Sequence, residues 1–127
     1  MNSDDEVLHS LDCYETALRR VSADFGSRGA AVEPVSVRLG ALAGVLVDYR
    51  VAGGGDPYTV GTLPMVTTVE EAVVALADLL QEEALECGDT AWPGCRPGHP
   101  HPPTPCLSGG TAVWSCPRDA TALAGIG

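Results

Sequence analysis

Val7, Leu11, Tyr14, Leu18, Val21 and Phe25 recur at intervals of four, three, four, three and four residues, which puts six apolar side chains on one helical stripe. Ser3-Asp4-Asp5-Glu6 stands before the stripe as a capping box, so a helix is predicted from Ser3, with Gly26 ending it. The stripe is short for a coiled-coil seam, and packing against a sheet is the preferred reading. The period then falls to two. Val35, Val37 and Leu39 alternate with Ser36 and Arg38, and Val45, Val47, Tyr49 and Val51 alternate with Leu46, Asp48 and Arg50. This predicts a half-buried antiparallel pair joined through Gly40 to Gly44. Gly53-Gly54-Gly55-Asp56-Pro57 turns the chain into a third strand from Tyr58 to Leu63. A second capping box, Thr68-Val69-Glu70-Glu71, opens a helix with the stripe Val69, Val73, Leu76, Leu80 and Ala84, closed by Gly88. Residues 1–88 are thus expected to form an α+β body of order α-β-β-β-α, a two-layer sandwich with both helices on one sheet face. Capped helices with full stripes lead to the expectation that this body folds by itself.

The periodicity stops after Gly88. Seven prolines and both tryptophans fall between Trp92 and Pro117. His99-Pro100-His101-Pro102-Pro103 must run extended or polyproline-like, because each residue before a proline is pushed out of the helical region. Leu107 to Trp114 reads as a tight β-hairpin around Gly109-Gly110, with Cys106 on its first arm and Cys116 just beyond its second. Residues 89–127 are therefore read as a Pro/Gly-rich arm that Trp92 and Trp114 anchor to the body.

Such a segment has few apolar side chains from which to build a core, yet it concentrates Cys and His. Cys95, His99, His101, Cys106 and Cys116 are the candidate metal ligands, with Cys87 a little upstream. Zinc needs four soft or borderline donors in a tetrahedron, and a turn plus the base of a hairpin could supply them. The expected set is Cys95, Cys116 and one or two of His99, His101 and Cys106. The paired Cys-x-x-Cys knuckle of many zinc sites is absent. Two other readings stay open: a loop pinned by its tryptophans with cysteines as small apolar groups, and a redox pair such as Cys95/Cys106.

The run Ala91-Trp92-Pro93-Gly94-Cys95, then His99-Pro100-His101-Pro102, then Val113-Trp114-Ser115-Cys116-Pro117 resembles the endings of small uncharacterised bacterial proteins. Those endings look like Trp-Pro-Pro-Cys-Pro, His-Pro-His-Pro and Val-Trp-x-Cys-Pro. The resemblance implies that Cys95, His99, His101 and Cys116 are the shared positions and names no activity.

Charge narrows the partners. Seventeen acids stand against seven bases, all arginine, for a formal net charge of −10. An acidic body repels nucleic acid and anionic lipid, so neither is an expected partner, whereas a basic protein surface is. The acidity also serves simple solubility. The acidic N-terminus is unlike a signal peptide, the longest apolar run (Gly40 to Val47) is too short to span a bilayer, and five cysteines are an odd number. Together these predict reduced thiols in the cytoplasm.

Other constellations are weak. His9 and Cys13 stand four apart, on the helix face opposite the apolar stripe, with no third residue to orient them. Glu70, Glu71, Asp78, Glu82, Glu83 and Glu86 read as a solvated helix face, and Asp48 with Arg38 or Arg50 as a cross-strand ion pair. Gly53-Gly54-Gly55 lacks the Lys-Ser/Thr of a phosphate loop. No residue earns a catalytic or organic-cofactor role. The expectation is a non-enzymatic protein-binding module with a zinc-stabilised arm. The alternatives are an acidic immunity- or antitoxin-type inhibitor of a basic toxin, and a thiol-based redox sensor or enzyme using Cys95, Cys106 or Cys13.

Overall fold

Two helices and two three-stranded antiparallel sheets follow one another as α1 (Ser3–Ser27), β1 (Val32–Leu39), β2 (Val45–Val51), β3 (Tyr58–Leu63), α2 (Val69–Glu86), β4 (Thr104–Ser108), β5 (Thr111–Ser115) and β6 (Ala122–Gly125). This computed structural model describes residues 3–41, 44–87, 93–95 and 101–127. The first sheet has the order β1-β2-β3 and the second β4-β5-β6. The α+β class and the α-β-β-β-α body are as the periodicity predicts. The predicted hairpin is present as β4-β5, turned by Gly109 and Gly110 at positive φ (58° and 84°), a conformation that favours glycine. It gains a third strand, β6, paired to β5.

The buried side of α1 is broader than its apolar stripe. Tyr14, Val21 and Phe25 are fully buried, but so are Ser10, Cys13, Ala17 and Asp24, while Leu11 and Leu18 are only half-buried. The helix packs against both β1 and α2, and two neighbours cover a wider arc than a single sheet would. Cys13, expected on the solvent face, is 5% exposed and belongs to the core. The Ser10 hydroxyl is satisfied by the Val66 N–H, which donates to it at 3.0 Å.

β1 starts three residues earlier than predicted. Val32 and Pro34 face the core, and a bulge between Pro34 and Ser36 changes the alternation. Val35, expected inside, is exposed as a result, Val37 is half-buried and Leu39 exposed. Pro34 is tolerated because β1 is an edge strand. β2 keeps its alternation at Val45, Val47 and Tyr49, which face inward, while Val51 at its end, expected on the same face, is exposed.

On the outer face of that sheet, Asp48 accepts hydrogen bonds from Thr59 Oγ1 (2.6 Å), Ser36 Oγ (2.8 Å) and Arg38 Nε (3.1 Å). The expected cross-strand ion pair is thus Arg38–Asp48, and Arg50 faces Glu33 instead. The Thr59, Arg38 and Ser36 hydrogen bonds pull the Asp48 carboxyl down from 3.8 to about 2. A depressed carboxyl stabilises the fold fully above its unfolded value, and that contribution is lost as pH falls toward the folded value. Urea midpoints should therefore fall between about pH 4 and about pH 2, and Asp48→Asn should flatten that fall.

α2 opens as predicted: Thr68 Oγ1 accepts from the Glu71 N–H at 3.1 Å. Its acidic face is less solvated than expected. Glu70 forms an ion pair with Arg20 and accepts from the Ala112 N–H at 2.9 Å, and Glu83 accepts from the Tyr49 hydroxyl at 2.9 Å. Asp78, Glu82 and Glu86 remain exposed.

The second sheet shares the core of the first. Ala112, Trp114 and Ile126 lie in the same buried cluster as Tyr14, Phe25, Leu76 and Leu80. The Trp114 ring lies 6.3 Å from that of Phe25, and its Nε1–H donates to Asp24 Oδ2 at 2.9 Å. Asp24 also accepts from Arg28 Nε and the Gly127 N–H. Arg20 donates to the Ile126 carbonyl while holding Glu70. Gly127 sits so close to Arg20 that a Cβ would fall 2.7 Å from the Arg20 Cβ. Trp114 is the anchor the sequence suggested; Trp92 lies outside the described residues. Among the described residues, no helix is long and apolar enough to cross a membrane.

Candidate metal centre

The hairpin register builds the centre. Thr104 pairs with Ser115 and Pro105 with Trp114. Extending that register by one step sets Pro103 opposite Cys116, and His101, two residues earlier, has the same parity along the strand. Pro102-Pro103 restricts the backbone immediately after His101. Pro103 is itself buried, and its carbonyl accepts from Gln81 Nε2 of α2 at 2.7 Å. Cys116 is clamped by its own turn: its N–H donates to the Thr121 carbonyl at 2.9 Å, and its carbonyl accepts from the Ala120 N–H at 2.8 Å. Both residues are therefore held by backbone that is fixed for other reasons.

His101 Nε2 lies 3.3 Å from Cys116 Sγ. Cys95 joins them, and the three ligand atoms all lie within 4.8 Å of one another. Donors bound to one tetrahedral zinc at about 2.0–2.3 Å stand roughly 3.5–3.8 Å apart, so small side-chain adjustments bring this trio onto a common ion. Cys116 is fully buried, whereas His101 and Cys95 are both half-buried, so the group opens toward solvent on the side of those two residues. Two sulfurs and an imidazole form a group that could hold a metal ion.

Of the five sequence candidates, Cys95, His101 and Cys116 are brought together. His99 lies outside the described residues. Cys106 is not part of the group. It pairs with Val113 in β4-β5, one residue out of phase with Pro105 and Trp114, and period-two alternation sends it to the other side of the hairpin. Cys87, exposed at the end of α2, is also outside the group. None of the five cysteines is in a disulfide.

The second thiol constellation is chemically quiet. Cys13 Sγ lies 3.7 Å from His9 Nε2, but that nitrogen is also 2.8 Å from the Thr67 carbonyl. A carbonyl only accepts, so Nε2 carries the hydrogen and has no lone pair for the thiol proton. Burial, with the Asp12 and Glu71 carboxylates adding to it, pushes the Cys13 thiol up, away from the thiolate a nucleophile needs. The hollow beside His9, about 250 Å³ and lined by Glu6, Met65, Val66 and Thr67, thus lacks an activated group.

No protein-family model, curated protein or solved structure matches this chain.

Proposed function

We propose that the protein is a non-enzymatic binding module whose Cys95/His101/Cys116 centre takes zinc and locks the arm into the shape that meets a protein partner. The observation carrying this reading is the convergence of three soft or borderline donors from positions 95, 101 and 116 within 4.8 Å. Their chemistry suits zinc better than magnesium or calcium, which prefer oxygen. His99 is the sequence's candidate for a fourth ligand. The partner is expected to be basic, given the net charge of −10 and the exposed Asp78, Glu82 and Glu86 on α2. Zinc would act here by joining positions 95, 101 and 116, so that binding energy becomes folding energy for the arm.

Protein purified without a polyhistidine tag under reducing conditions should carry about one equivalent of zinc per chain by elemental analysis. Cys95→Ser and Cys116→Ser should each lose it, and Cys106→Ser should keep it. Free zinc at a hundredfold excess over its dissociation constant should add about 2.7 kcal/mol to the unfolding free energy. Metal-free protein whose melting temperature zinc does not raise would overturn the reading.

A further inference from the structure

The same three side chains have a second chemistry that depends on which of them solvent reaches. Cys95 is half-buried, Cys116 is fully buried, and their sulfurs stand within 4.8 Å of each other. A disulfide needs the two sulfurs at about 2.05 Å, a closure of a few ångströms that rotation about Cα–Cβ can provide when the Cβ atoms are near. Cys13 is buried in the α1 core, Cys106 is on the other side of the hairpin, and Cys87 is at the end of α2. Cys95 and Cys116 are therefore placed to react with each other before they react with any other thiol.

We propose that the centre is a hydroperoxide-responsive switch, in which oxidation joins Cys95 to Cys116 and expels the metal. This rests on the metal-holding reading above. The sulfur of half-buried Cys95 attacks the peroxide, the O–O bond breaks, an alcohol (water, from hydrogen peroxide) leaves, and Cys95 becomes a sulfenic acid. Cys116 sulfur then attacks the Cys95 sulfur, the S–O bond breaks and water leaves. Two electrons pass from the two sulfurs to the peroxide, and one S–S bond forms. A metal held through these two sulfurs loses both to the disulfide and dissociates. Because Cys116 is anchored by β5 and the Thr121 turn, the part that moves is the segment carrying Cys95. Oxidation thus alters the arm and leaves the core alone.

The test uses the full-length chain carrying Cys87→Ser and Cys106→Ser, which leaves Cys13, Cys95 and Cys116 as its three cysteines. The zinc-loaded protein is treated with hydrogen peroxide. Released zinc is read with a chromogenic chelator, thiols are counted by alkylation after denaturation, and the remaining thiol is located by peptide mass spectrometry. Zinc release should track the loss of two thiols, the survivor should be Cys13, and dithiothreitol plus zinc should restore both. The wild-type chain should release zinc at the same rate, which shows that the two serines have not created the effect. Zinc retained through oxidation, or released with Cys95 or Cys116 still free or over-oxidised to sulfinic acid, overturns the switch and leaves the zinc clasp standing. Reduced protein that holds no zinc overturns both together.

Discussion

Replacing Trp114 with Ala should cost about 3–5 kcal/mol of stability, the range for removing a buried large aromatic. Trp114 is 1% exposed, packs on Phe25, and sits in one cluster with the apolar faces of α1 and α2. Its loss also leaves Asp24 Oδ2 with one donor fewer, although Arg28 and the Gly127 N–H still serve that carboxylate. Trp114→Phe keeps most of the ring volume and removes the N–H, so its cost should be nearer about 1–2 kcal/mol. Chemical denaturation followed by circular dichroism separates the two, since both variants lose the Trp114 fluorescence. The same reasoning applies to a chain ending at residue 88. It would expose the parts of α1 and α2 that Ala112, Trp114 and Ile126 cover, and strip Glu70 and Arg20 of backbone partners. Such a chain should unfold with a shallower, less cooperative transition than the full chain.

Leu76→Ala should cost about 2–5 kcal/mol, whereas Leu18→Ala should cost distinctly less. The helical stripes rank the two leucines alike. The fold does not: Leu76 is fully buried in α2, while Leu18 is half-buried and borders an open hollow with Arg19, Pro34 and Val35. A cavity left at Leu76 has no route to refill, and one at Leu18 is already shared with solvent. Equal losses in urea titrations of the two variants would mean that α1 seats on the sheet along its sequence stripe, in place of the rotated face that buries Ser10, Cys13 and Ala17.

Together these effects describe a protein in which the arm is tied to the body by core packing and polar clamps, with the Cys95/His101/Cys116 group beside the hairpin base. Trp114 and Cys116 are two residues apart on β5 and its extension, so a single strand links the core to the centre. Cys95→Ser should loosen the arm locally, with the core still melting cooperatively but at a lower temperature than the zinc-loaded chain.

Element types followed from the chain alone because each depends on short-range features. The 4-3-4-3-4 spacing in α1, the Thr68 cap, the alternation in β2 and the Gly109-Gly110 turn all act within a few residues. The concentration of Cys and His on a coreless segment likewise marked the arm as the place to seek a metal. Tertiary contacts decided the rest. Whether Cys13 is inside or outside depends on α2 lying beside α1, and periodicity in one helix carries no information about its neighbours. Val35 was turned outward by a bulge, which no local pattern announces. β6 forms because β5 offers a free edge, and its short, small-residue sequence carries little strand signal of its own. The choice of Cys95, His101 and Cys116 over Cys106 came from strand parity. That parity becomes meaningful only once Trp114 has committed one face of the hairpin to the core.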